Sequence, residues 1–313
     1  MIRQRTVIVL GAGASVPYGF WSGQGLLDEA RKYSAEEFSN VLPVRFGGEA
    51  PALHRALRGT LSSSIDAALE TRPRLVDAGK AFMARWLLQC EQNWRDNQRL
   101  VEQSHPGQQW HELLWSACDL ASLDAFRATP LTLITYNYDR SVEFALTRAL
   151  QETFDAPPAE CAQALDCIGP IHLHGQLGTL PQFPSAGDSV IPFGGMGNGV
   201  DEGDCLTAAR GIKIIHEPEP TDEAFVRARD AIASAVRVIF LGFGYSARNV
   251  ARLQLQKCMD RGVQLYLCTS GFSTQQVVAH VRPLFSDWGP RLQHGTENQD
   301  IVQFFRAFPE ALL

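Results

Sequence analysis

The sequence predicts an α/β fold, a mostly parallel sheet with helices on both faces and a large helical insertion after the first strand. Three observations carry that expectation. The apolar run in "VIVLGAGASVPYGF" (7–20) ends on a glycine-rich turn, as a buried strand does. Helical periodicity then fills 22–128. From 129 onward, short apolar runs return with helical patterns between them, and this alternation is that of a parallel sheet with both faces covered.

The elements follow in order. After the strand and turn of 5–20, Leu75, Phe82, Met83, Trp86, Leu87 and Cys90 recur at three- and four-residue spacing and mark one face of a long helix. Its polar continuation, "EQNWRDNQRLVEQSHPG", ends at a Pro-Gly break, and another helix is expected over 108–127. Strands are expected in "LTLITY" (131–136), "IHLH" (171–174), "VRVIFLG" (236–242) and "VQLYLC" (263–268), with helices over 139–151, 221–234 and 246–260. The Gly- and Pro-rich stretch 178–204 reads as a lid, a binding loop or a disordered segment. The whole, 1–313, reads as one domain. Within it, 22–128 forms an insertion subdomain leaning over the cleft, and 129–313 completes the α/β core.

Bulk properties exclude several functions. With 28 basic against 34 acidic residues and no Lys/Arg block, direct nucleic-acid binding is not expected. No run approaches the ~18 apolar residues of a membrane span, and no secretory leader precedes the first strand. A cytoplasmic location is therefore expected. Seven cysteines without a C-x-x-C pair suit reduced core thiols, and neither structural zinc nor another metal is expected.

Residues that could carry chemistry cluster at strand ends. Gly11 and Gly13 allow close backbone approach to a phosphate, a following helix would offer free N–H groups, and Ser15 adds a hydroxyl. Val16 stands where the dinucleotide fingerprint has its third glycine, and tight strand-to-helix turns also carry glycines for steric reasons alone. A dehydrogenase would show a second strand and a ribose-binding acid about twenty residues on. Asp28 and Glu29 instead read as helix charges, which weighs against hydride transfer. Asn137 and Asp139 close the strand "LTLITY" and would point at the crevice, with Asp139 alternatively an N-cap of the next helix. His172 and His174 share a face if the strand is regular, which would also suit a pair of metal ligands or plain core histidines. Gly175 turns the chain away and would leave His174 at the cleft edge. "GFGYS" (242–246) is a second glycine turn after a strand.

In order, "GAGAS", N-x-D at 137–139, H-G at 174–175, "VIPFG" at 190–194 and "GFGYS" at 242–246 resemble the sirtuin-like family. The likeness covers about 1–25 and 129–270. With "SSIDAALE" (63–70) it is closer to the bacterial sirtuin-like NADases of anti-phage defence than to protein deacylases. The resemblance implies a Rossmann-like cleft that cleaves the nicotinamide–ribose bond of NAD⁺, giving nicotinamide and ADP-ribose. It places Gly11, Ala12, Gly13 and Ser15 on the phosphates and adjoining ribose. Asn137 and Asp139 would face the nicotinamide ribose and carboxamide, His174 would be the catalytic histidine, and Gly242, Gly244 and Ser246 would face the adenosine half. Because an unrestrained NADase would kill its host, gating from outside the chain is expected, by a homo-oligomer and/or a separate sensor or ATPase partner protein. The zinc ribbon of the deacylases and the Arg of their G-I-P-x-F-R element are missing, which argues against an acyl-lysine tunnel. A deacylase, an ADP-ribosyltransferase and a non-catalytic NAD⁺ or ADP-ribose sensor remain the rival readings.

Overall fold

The computed structural model describes residues 1–183, 190–197, 199–214, 222–260 and 262–313. Among the described residues six strands form one sheet: β1 (Thr6–Leu10), β2 (Leu131–Thr135), β3 (Ile171–His172), β4 (Arg237–Leu241), β5 (Gln264–Leu267) and β6 (Leu292–His294). Their order is β3-β2-β1-β4-β5-β6, and every pairing is parallel. In β1, Ile8 and Leu10 enter one hydrophobic core while Val7 and Val9 enter a second on the opposite face. Both faces are covered, which is why the strand reads as an unbroken apolar run. The sixth strand was not anticipated, since "LQH" holds a single apolar residue.

Between β1 and β2 lie α1 (Gly23–Lys32), α2 (Ala35–Asn40), α3 (Ala50–Gly59), α4 (Ile65–Leu69), α5 (Val76–Gln103), α6 (Trp110–Ala117) and α7 (Leu123–Arg127). Ser22, Ser34, Ser64 and Ser122 cap four of them, each side chain accepting an amide three residues on. The expected single helix over 108–127 is two, because the chain leaves helical geometry at Cys118 and restarts at the Ser122 cap. α5 buries Phe82, Met83, Leu87 and Cys90 as its periodicity predicts. Its supposed polar continuation is not all solvated, for Glu91, Gln92 and Trp94 are buried too. Buried residues of α1 to α7 share one continuous core with Ile8, Leu10, Leu131 and Leu133 of the sheet.

After β2 come α8 (Ser141–Phe154), α9 (Pro158–Asp166), α10 (Glu202–Gly211), α11 (Glu223–Ala233), α12 (Ala247–Leu253), α13 (Leu255–Cys258), α14 (Thr274–Gln276) and α15 (Ile301–Ala307). α8 and α9 pack on the insertion side, while α11 and α12 pack on the other. The expected helix 246–260 breaks at Gln254, whose φ of 51° is left-handed.

Of the stretch 178–204, residues 184–189 and 198 lie outside the described residues. The lid expectation does not fit the part that follows them. The Arg140 guanidinium donates to the carbonyls of Ile191 (2.7 Å) and Pro192 (3.2 Å), and Gly194 N–H donates to Glu91 (3.0 Å). Phe193 stacks on Phe144 with ring centroids 4.0 Å apart. A Cβ at Gly194 would come within 2.7 Å of the Gln92 backbone, so glycine here serves close packing rather than freedom of movement.

Candidate functional site

From β1 the chain builds β2 and β3 to one side and β4, β5 and β6 to the other, so the strand order reverses between β1 and β4. In doubly wound sheets ligands bind outside the carboxyl ends of the strands at such a point. Two glycine turns meet there, Gly11–Ser15 after β1 and Gly242–Ser246 after β4. A Cβ at Gly11 or Gly13 would lie 2.6 or 2.9 Å from the Gly242 carbonyl oxygen, and one at Gly242 (φ 56°) would lie 2.0 Å from Ala14 N. Gly13 N–H donates to Gly242 O at 2.9 Å. The steric reading of these glycines therefore has a definite physical basis, which is two backbones pressed together. A cavity of about 320 Å³ opens beside them, lined by Gly13, Gly242, Gly244, Cys268, Ser270 and Asp300 among others.

No long helix follows the first turn. Residues Ala12–Ala14 and Val16–Tyr18 form two single 3₁₀ turns, closed by Gly19 at φ 81°, and α1 begins only at Gly23. The expected helix N-terminus aimed at a pyrophosphate is thus replaced by short turns, because Pro17 and Gly19 interrupt helical propagation. On the second turn Tyr245 is held at φ 47° with its hydroxyl donating to Cys268 O (2.8 Å), while Gly244 and Ser246 are exposed.

Behind the first turn lies a buried polar knot. Asn137 Nδ2 donates to Gly11 O (3.1 Å) and to Ser15 Oγ (3.0 Å), and Ser15 Oγ donates to Asp139 Oδ1 (3.1 Å). Asp139 Oδ1 also accepts Ser141 N–H (3.1 Å) at the start of α8, so it has both a capping contact and a place in the knot. Asn137 and Asp139 are 7% and 6% exposed. They do not point into the open crevice, because Gly11 O and Ser15 supply inward partners. Burial pushes the Asp139 carboxyl up to about 6, with Ser141 and Ser15 opposing and Glu91 reinforcing. The second strand missing from the first thirty residues is supplied in space, since β2 pairs with β1 and ends on this Asn-x-Asp.

The two histidines do not share a face. His172 turns toward α8, where Nε2 meets Glu143 Oε1 at 2.6 Å and Nδ1 meets Asn137 O at 2.9 Å. Burial alone would push this imidazole down, but the Glu143 carboxylate and the Asn137 carbonyl hold it above its ordinary value. It borders a cavity of about 630 Å³ that Arg210, Lys213 and Arg227 also line. His174 is 3% exposed, packed on Tyr136 (5.3 Å between centroids) and Phe225 (5.8 Å), and its buried Nε2 has no hydrogen-bond partner. Burial pushes it down to about 3, with Arg252 and Lys213 adding to the effect. Gly175 does turn the chain, at φ 71°, yet the imidazole is not left at the cleft edge. Regular alternation ends with β3 at His172, so Leu173 and His174 both lie in the aromatic layer.

Sequence reasoning missed four residues that hold this region together. Glu91 and Arg140 form a fully buried ion pair, and Glu143 and Ser141 complete the contacts of His172 and Asp139. Glu91 had a legible signal: it stands three and four residues after Leu88 and Leu87 and three before Trp94, on the buried face. Among the described residues, no group of three or more His, Cys, Asp or Glu is placed to hold a metal ion. No helix among them is long and apolar enough to cross a membrane.

No family model matches the chain, and no curated protein does. Among solved structures, a triply substituted Sir2 homologue in complex with 2′-O-acetyl-ADP-ribose is similar at 14% identity and a TM-score of 0.43, over 99% of this chain and 94% of that one. A likeness of that size transfers neither a ligand nor an activity.

Proposed function

We propose that this protein is an NAD⁺ glycohydrolase working in the crevice between the two glycine turns. The observation that carries the reading is the reversal of strand order between β1 and β4, with both turns meeting there beside a cavity. The nicotinamide would lie toward Asn137, Asp139 and His174, and the adenosine half toward Gly242, Gly244 and Ser246. Nicotinamide leaves a cationic pyridinium as a neutral molecule, so the reaction requires no general acid. Its transition state resembles the oxocarbenium ion of glycoside hydrolysis. The protein's tasks are to orient the ribose, exclude bulk water and accept one proton from the attacking water or a ribose hydroxyl. His174, whose Nε2 lacks a partner, takes on the last task once the site opens, because solvent or ligand reaching the imidazole relieves the burial that holds it down at about 3.

The burial of Asn137, Asp139 and His174 adds a second element to the proposal. Ligand reaches them only after Tyr136, Phe225 or the turns shift, so the isolated chain is slow and assembly or a partner protein opens the site. In an anti-phage setting such control would spare the host until infection. The same burial favours, as the alternative, a module that binds NAD⁺ or ADP-ribose without cleaving it.

The test is to incubate purified protein with NAD⁺, alone and at concentrations that drive self-association, and to separate products by chromatography. Nicotinamide with stoichiometric ADP-ribose, lost in His174→Ala, is the expected result. Binding without release of nicotinamide would leave the sensor reading. Full turnover by a monomer shown by light scattering would remove the gating element.

A further inference from the structure

A third cavity, of about 320 Å³, lies between α5, α6 and α8. It starts at Tyr18, three residues past the first glycine turn, and extends away from the strand ends along α8. α8 leaves the strand ends at Ser141, and Glu152, which lines this cavity, is eleven residues further along, about 16 Å at the rise of an α-helix. Its walls include Trp94, Trp115 and Phe144, and its polar rim includes Glu102, Glu112 and Glu152. Of the lining cations only Arg148 is charged, and its guanidinium is already engaged by Glu152 (2.8 Å) and Gln98 (3.1 Å). Glu102 accepts from Gln98 Nε2 (2.9 Å) and Trp94 Nε1 (3.4 Å), while the exposed Glu112 carboxylate has no hydrogen bond among the described residues.

An independent observation points to a ligand. His111, also lining this cavity, is 7% exposed, and neither of its ring nitrogens has a hydrogen-bond partner. Its ring is fixed by stacking on Tyr18, centroids 3.9 Å apart and 8° from parallel, and by the Trp110 ring 4.5 Å away. Two unsatisfied polar atoms at one buried residue are costly, of the order of 1–3 kcal/mol each. Native structures tolerate such groups mainly where something else completes them. Burial pushes the imidazole down to about 3, so at neutral pH it presents one acceptor nitrogen and one donor.

We propose that this cavity binds a small organic ammonium with an aromatic or alkyl body. The aromatic walls bury the body and attract the cation, the acceptor nitrogen of His111 takes one ammonium hydrogen, and the Glu102–Glu112 rim neutralises the charge. A cavity of this size, at the low end of ligand pockets, takes a compact molecule. An anion meets the carboxylates, and a neutral molecule gains no charge attraction from them. The site is joined to the first glycine turn through the Tyr18 hydroxyl, which accepts the His111 backbone N–H (2.8 Å), and through Trp110 Nε1, which donates to Ala14 O (2.7 Å).

Calorimetry of the full chain with 2-phenylethylammonium, and with 2-phenylethanol as its uncharged counterpart, tests this directly. The expected result is saturable binding of the ammonium, at least tenfold tighter than the alcohol and weakened by added salt. The double variant Glu102→Gln/Glu112→Gln should lose at least tenfold in affinity. His111→Phe keeps the stack on Tyr18 and removes the orphaned nitrogens. It should melt no lower than the parent yet bind the ammonium at least fivefold more weakly, a combination that misfolding cannot produce. Equal affinity for ammonium and alcohol, no saturable binding, or unchanged affinity in both variants would overturn the proposal.

Discussion

The two histidines at the end of β3 lie on opposite faces of the sheet, and their surroundings treat them in opposite ways. On the α8 side, Arg140 has Glu91 and the carbonyls of Ile191 and Pro192, and His172 has Glu143 and Asn137 O. On the α11 side, His174 sits among Tyr136 and Phe225 with Nε2 unpartnered. Two histidines two residues apart thus have their pKa values moved in opposite directions, because the carboxylate is on one side only. A satisfied buried network holds a shape, whereas an orphaned group marks where a ligand can be gained.

The largest expected effect breaks the satisfied side. Glu91→Ala leaves the Arg140 guanidinium buried without its carboxylate and should cost about 3–5 kcal/mol, read from urea unfolding. A loss under about 1 kcal/mol would mean that water or the neighbouring carbonyls already satisfy Arg140.

Asp139 sharpens the contrast through pH. Its carboxyl is raised from 3.8 to about 6 in the folded chain, so between those values the native state holds a proton that the unfolded state has released. Stability attributable to it therefore falls as pH rises through that window, by roughly 3 kcal/mol at 1.36 kcal/mol per unit. Asp139→Asn should remove this slope, and unfolding curves at pH 4, 5, 6 and 7 give the comparison. A slope equal to that of the parent would show that Asp139 titrates normally.

His174→Ala carries the next effect, a loss of at least about 100-fold in nicotinamide release, the scale of a positioned proton acceptor. Parent-like turnover at unchanged melting temperature would take His174 out of the reaction.

His172 should matter less, and mostly to stability. Its imidazole is raised, so its stabilisation is fully present below pH 6.5 and is lost as pH rises through the higher folded value. His172→Gln should accordingly destabilise by about 1–2 kcal/mol at pH 6 and by less at pH 9. A penalty independent of pH would mean that the Glu143 contact is not an ion pair.

The smallest effect is His174→Phe, which removes the orphaned nitrogen and should stabilise by about 1 kcal/mol at pH 7. His174 is lowered to about 3, so its neutral form supports the fold above pH 6.5 and that support is lost as pH falls toward 3. The phenylalanine variant should lack this part of the acid transition, as melting between pH 3 and pH 7 will show.

The sequence by itself determined the parallel α/β sheet, five of its six strands and the helical stretch between β1 and β2. Apolar runs flanked by turns and three-to-four periodicity are local properties that survive without knowledge of neighbours. It also placed Asn137 and Asp139 at the end of β2, where they join Ser15. What it did not decide was which way polar side chains face and what they meet. The Glu91–Arg140 pair joins residues 49 apart, and Asn137 finds Ser15 across 122, so neither partnership has a local pattern. Gly11, Gly13 and Gly242 carry the same lesson: each turn reads as a phosphate cradle alone, and only the folded sheet presses one backbone against the other. His172 and His174 were indistinguishable in "IHLHG" for the same reason. Their charge is set by a carboxylate on α8 and by the aromatic rings of Tyr136, just past β2, and Phe225 on α11, which only the tertiary structure brings to them.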